Sequence, residues 1–178
     1  MNAKRNTILI GLAFIVLLAL SYTESMIFFR ILGDILRNHL LAVIMLFIHN
    51  ILVISLILLG MSFYVNLVVS NFFKREKYAN VVLERPGTFA LVFTLMIVFL
   101  SILRGSSLLD GVTVELLPLI LLISAPTGIV EGYGIYLTIK KTLSRTMSLK
   151  DLIYIYGIFL IAAIIEVGFI NLLISVST

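Results

Sequence analysis

The chain has 178 residues, 61% of them hydrophobic and only 12% charged, and its mean hydropathy is +1.20. A soluble domain carries about 25% charged residues, so a chain with half that share cannot cover a water-facing surface. This excludes a soluble enzyme, a disordered chain and a fibrous repeat, and indicates a multi-spanning helical membrane protein. The absence of cysteine excludes disulfides, thiolate metal sites and cysteine nucleophiles.

Behind the basic tip Lys4-Arg5, the first apolar run predicts a helix over 7–22, roughly 24 Å long at ~1.5 Å per residue. The small residues Ala19 and Ser21 behind it also fit a signal peptide; an uncleaved span is the preferred reading. Residues 25–38 read differently. Arg30, Asp34 and Arg37 share one face, with Ile27, Phe28, Ile31, Leu32, Ile35 and Leu36 around the rest. This predicts an amphipathic helix lying in the membrane interface as an elbow.

The run 40–73 would reach about 51 Å as one helix, too long for a ~30 Å hydrocarbon core. Two spans would leave no turn between them, so one span over 40–60 with a bent extension to 73 is expected. Gly60 is the natural place for the bend. Pro86 opens a third span over 86–103. A fourth, 113–139, is irregular, with Pro118, Pro126, Gly128, Gly132 and Gly134. Ser148 and Asp151 form a capping box that opens the last span, 152–176.

Charge sets the orientation. With the N-terminus inside, Lys4, Arg5, Lys74, Arg75, Lys77, Arg85, Lys140, Lys141, Arg145 and Lys150 fall inside. Only Arg30, Arg37 and Arg104 fall outside. The positive-inside bias predicts five spans in the cell membrane, N-terminus in and C-terminus out. The net charge of +4 is thereby explained, and nucleic-acid binding is not expected. The expected fold is an all-α polytopic membrane bundle, a single domain of about five spans with one interfacial helix.

An ionised residue inside hydrocarbon costs about 2.5–3.5 kcal/mol on insertion scales, so each one needs a reason. His49 with its neighbour Asn50, Glu131 and Glu166 are such residues; Glu115 sits at a span edge. Counted from the outer boundary, His49 should lie about 13 Å deep, Glu166 about 9 Å and Glu131 about 20 Å. His49 and Glu166 are thus expected to face each other, with Glu131 deeper in a ladder.

In the fourth span Pro126 predicts either a kink or a restarted half-helix capped by Ser124. Thr127 stacks on Glu131 one turn away, while Ser124, Gly128 and Gly132 form a small-residue stripe for close helix approach. Ala162 and Ala163 place a second close-packing surface beside Glu166. Two roles compete for the polar set. It binds a cation or relays protons, or its carboxyls stay protonated and bond to Asn50, Asn171, Thr127 or a tyrosine to fix helix register. No catalytic motif, no joined metal-ligand spacing and no cofactor motif is present.

The order His49-Asn50, Gly60, then 126–131 (PTGIVE) and 162–166 (AAIIE) resembles the stage II sporulation protein M family, small multi-pass proteins of bacteria and archaea. The likeness runs from about residue 40 to the C-terminus. Thr127 departs from the family's histidine after the proline, which removes one titratable group. The resemblance implies a membrane scaffold that recruits other envelope proteins. The expected function is therefore a non-enzymatic scaffold or subunit, with the lipid bilayer, other membrane proteins and a second copy of itself as partners. The alternative is a channel or ion-coupled transporter built on His49, Glu131 and Glu166.

Overall fold

The computed structural model describes residues 3–35, 38–70, 81–107 and 117–177, and among them there is helix and no strand. Six helices follow in order: α1 Ala3–Ile35, α2 His39–Val69, α3 Val81–Glu84, α4 Pro86–Ser107, α5 Leu117–Leu143 and α6 Leu149–Ser177. Among the described residues three stretches are long and apolar enough to cross a membrane: Thr7–Phe28, His39–Val69 and Leu149–Phe169, with Pro86–Phe99 a shorter apolar helix.

The expected break between span 7–22 and an amphipathic helix at 25 is absent, because α1 runs unbroken to Ile35. Nothing at the junction stops a helix: Thr23 turns its hydroxyl back onto the carbonyls of Ala19 and Leu20, at 3.1 and 2.9 Å. The side chains of Arg30 and Asp34, and residues 36–37, lie outside those described, as do Glu115, the start of the fourth span and residues 71–73.

Helix α2 starts at an Asn38 cap, whose side chain accepts from the Leu41 N–H at 3.2 Å. It continues without a break through Gly60, some 46 Å in all at ~1.5 Å per residue. Gly60 is a contact point on α2: a Cβ there would sit 3.1 Å from the Phe14 ring on α1. Gly11 on α1 in turn faces the Phe63 ring at 2.8 Å. The two glycine–phenylalanine pairs interlock α1 antiparallel on α2. Helix α5 likewise continues through Pro126, so no half-helix restarts at Ser124. One proline removes a single backbone donor, which leaves enough of the ladder on either side to hold the helix.

The capping box is present as expected. Ser148 N–H and Oγ donate to Asp151 Oδ2 at 3.0 and 2.7 Å, and the Asp151 N–H donates to Ser148 Oγ at 3.2 Å. Asp151 also pairs with Lys141 across the turn at 3.2 Å. Bonds from Ser148 and Lys141 hold the Asp151 carboxyl below its ordinary range.

Side-chain pairings fix the helix directions. Ser55 meets Tyr156 at 3.2 Å and His39 meets Asn171, so α2 and α6 are antiparallel. Asn50 meets Glu131 nearer one end and Asn66 shares a cleft with Thr142 nearer the other, so α2 and α5 are parallel. Gly87 lies against Tyr136 and Val98 against Gly128, which sets α4 antiparallel to α5. The main core joins α2, α4, α5 and α6 through Ile54, Ala90, Ile139, Ile155 and Phe159. A second cluster joins Phe28 of α1 to Ala42 and Leu46 of α2 and to Ala163 and Val167 of α6. Dense packing of these two clusters is what holds the polar residues between them in place.

Candidate functional site

The polar residues of four helices gather between the two apolar clusters. Glu24 on α1 reaches His49 on α2, with Oε2 and Nδ1 hydrogen-bonded at 2.9 Å. Phe28, one helical turn beyond Glu24, stacks on the imidazole with centroids 4.9 Å apart and planes 14° off parallel. On the next residue of α2, Asn50 Nδ2 donates to Glu131 Oε1 of α5 at 3.0 Å. Asn50 is buried, and Glu24, His49, Glu131 and Glu166 are each half-buried.

Glu166 on α6 lies within electrostatic reach of Glu131, and Glu131 within reach of His49. Hydrogen bonds thus link α1 to α2 and α2 to α5, and Glu166 brings a carboxyl of α6 near Glu131. One further atom marks the site: Glu24 Oε1 is buried with no hydrogen-bond partner among the described residues. Buried polar atoms without partners are rare and call for a reason.

This geometry corrects the depth ladder. Asn50 and Glu131 are at one level, and His49 turns toward Glu24, where the sequence pointed to Glu166. The depth estimate started α5 and α6 from assumed boundaries; the register is set by packing, which sequence distance does not carry. Asn171, a candidate partner for a carboxyl, bonds instead to His39 at the start of α2. Thr127 is half-buried one turn before Glu131. Gly128 and Gly132 face α4, with Val98 4.0 Å from a Cβ at Gly128 and 3.4 Å from one at Gly132. The Ser124 side chain lies outside those described. Ala162 and Ala163 are fully buried, Ala163 in the cluster that holds Phe28.

Glu24 is the residue that sequence reasoning missed. It fell in the presumed gap between a span and an elbow, where a charge needs no explanation. Reading 3–35 as one helix would have exposed it as a fourth ionisable group in the apolar layer. Among the described residues no three His, Asp or Glu side chains converge as a metal-binding group. Comparison with protein-family models, with curated proteins and with solved structures finds no match to this chain.

Proposed function

We propose that the chain is a five-span cell-membrane protein, N-terminus inside and C-terminus outside, whose working centre is the Glu24–His49–Asn50–Glu131–Glu166 set. Its function on this reading is proton-coupled transport. The observation that carries it is the pair of hydrogen bonds, Glu24 to His49 and its neighbour Asn50 to Glu131, that ties ionisable groups of three helices together, with Glu166 of α6 near Glu131. Histidine changes charge near neutral pH, and a chain of carboxyl and imidazole groups is the usual means of moving protons through hydrocarbon. The alternating directions of α1, α2, α4, α5 and α6 agree with five crossings and with the bias of basic residues toward one side.

The test is proton flux in liposomes carrying the purified chain, read with an enclosed pH-sensitive dye. Glu131→Gln and Glu166→Gln should abolish flux while the protein still elutes as a folded species. Normal flux in both variants contradicts the proposal.

A scaffold or subunit role, as the resemblance to the stage II sporulation protein M family implies, is the second reading. It draws support from the apolar faces of α1 and α4, where Leu12, Ile15, Leu95 and Phe99 stand exposed as seats for other membrane helices. Purification in mild detergent followed by mass spectrometry separates the readings: a stoichiometric partner favours the scaffold, and a homo-oligomer that conducts protons favours transport.

A further inference from the structure

A second polar feature lies far from the ionisable set, at the end of the bundle where α2 finishes and α5 turns into α6. A cleft of about 420 Å³ opens there between the two helices. Leu58, Val69 and Met147 form its apolar wall, and Asn66, Thr142 and Arg145 its polar part. The amide of Asn66 is committed to the Ser62 carbonyl at 2.8 Å and the Thr142 hydroxyl to the Thr138 carbonyl at 2.7 Å. Arg145 is exposed, and among the described residues no carboxylate is paired with it. The neighbouring cations differ: Lys141 holds Asp151 at 3.2 Å, and Lys140 lies over the Tyr136 ring at 5.4 Å. The guanidinium thus brings an unused fork of donors to a cleft whose remaining wall is greasy.

We propose that this cleft binds one anionic phospholipid, its phosphate on Arg145 and part of an acyl chain along Leu58, Val69 and Met147. Basic clefts between spanning helices on the cytoplasmic side are suited to such headgroups. The negative end of the α5 dipole opposes an anion here, but the turn already covers it. Ser144, Arg145 and Thr146 donate their N–H groups to the carbonyls of Lys140, Thr142 and Lys141 at 3.0 Å each. Arg145 itself occupies a left-handed backbone conformation, φ 55°. Glycine is the residue that fits this position without cost. An arginine is kept at a strained helix end, where its charge overlooks the cleft.

That strain supplies a clean test. Full-length protein in mild detergent is incubated with phosphatidylglycerol, and bound lipid is counted by native mass spectrometry. Arg145→Gly should leave thermal stability equal or raised, yet lower lipid retention about fivefold. Arg145→Lys should retain most of the binding. Val69→Trp, which fills the wall, should also lower retention, and phosphatidylcholine should bind no better than phosphatidylglycerol does to Arg145→Gly. Equal retention in Arg145→Gly and the parent chain overturns the proposal. So does displacement of the lipid by inorganic phosphate alone, which would make the cleft a free-anion site. Retention unchanged in Val69→Trp also overturns it, since the acyl chain would then lie elsewhere.

Discussion

Helices α1 and α6 are both long and apolar, and they are attached in different ways. Of the most apolar stretch of Thr7–Phe28 only 6% is buried, against 33% for that of Leu149–Phe169. Helix α6 is held by a close-packed core in which Ile155, Phe159, Ala162 and Ala163 have essentially no exposed surface. Helix α1 is held by two glycine–phenylalanine interlocks, the stacked Phe28 and one carboxyl–imidazole hydrogen bond. Both contribute a carboxyl to the same site. The difference teaches that a polar site in a membrane can join a fixed wall to a more loosely held one.

The comparison can be broken hardest on the fixed side. A Cβ at Gly134 would lie 2.5 Å from Phe159 Cε2 and 2.9 Å from Cζ, and Phe159 is too enclosed to move. Gly134→Ala should destabilise by about 1–3 kcal/mol. Thermal unfolding in detergent would show it, with partial rescue by Phe159→Leu.

Next in size is the Glu24–His49 hydrogen bond on the loose side. A double-mutant cycle over Glu24→Gln and His49→Gln should return a coupling of about 0.6–1.7 kcal/mol, the range of polar pairs between membrane helices. A coupling of zero would mean that the Phe28 stack and the glycine interlocks hold α1 alone. The interlocks come third. Phe63 and Phe14 are half-buried rings with room to yield, so Gly11→Ala with Gly60→Ala should cost roughly 1 kcal/mol or less, the low end of overpacking. Faster protease cleavage within α1 should accompany it.

The smallest effect belongs to the capping box. The Asp151 carboxyl lies below its ordinary value through bonds from Ser148 and Lys141. Its contribution is fully present above the unfolded carboxyl range and is lost as the pH falls through the lowered value. Melting temperature should therefore drop slightly more with acid in the parent chain than in Asp151→Asn.

Much of the fold was legible in the sequence, since hydropathy and capping chemistry are local. The helix starts at Pro86 and beside Ser148 follow from such signals, as do the apolar stretches of α2 and α6. A gap was read at Thr23-Glu24, a bend at Gly60 and a kink or restart at Pro126, and the helices are continuous through all three. Thr23 is accommodated by its side-chain bonds to the backbone and Gly60 by its contact with the Phe14 ring, and the second of these a single helix does not reveal. Asn50, Glu131 and Glu166 were legible as residues that apolar surroundings do not favour. Their meeting was not, because it depends on the register of α5 and α6 against α2. The Glu24–His49 pair needs both the continuity of α1 and its antiparallel alignment on α2.

The most direct measurement is proton flux through liposomes bearing Glu24→Gln, run beside Glu166→Gln. If the carboxyls of α1 and α6 serve one connected site, both variants should lose flux to a similar extent, although they sit on the loosest and the tightest of the two helices compared. Parental flux in Glu24→Gln, with flux lost only in Glu166→Gln, would contradict a single site and reduce the Glu24–His49 pair to a fastening for α1.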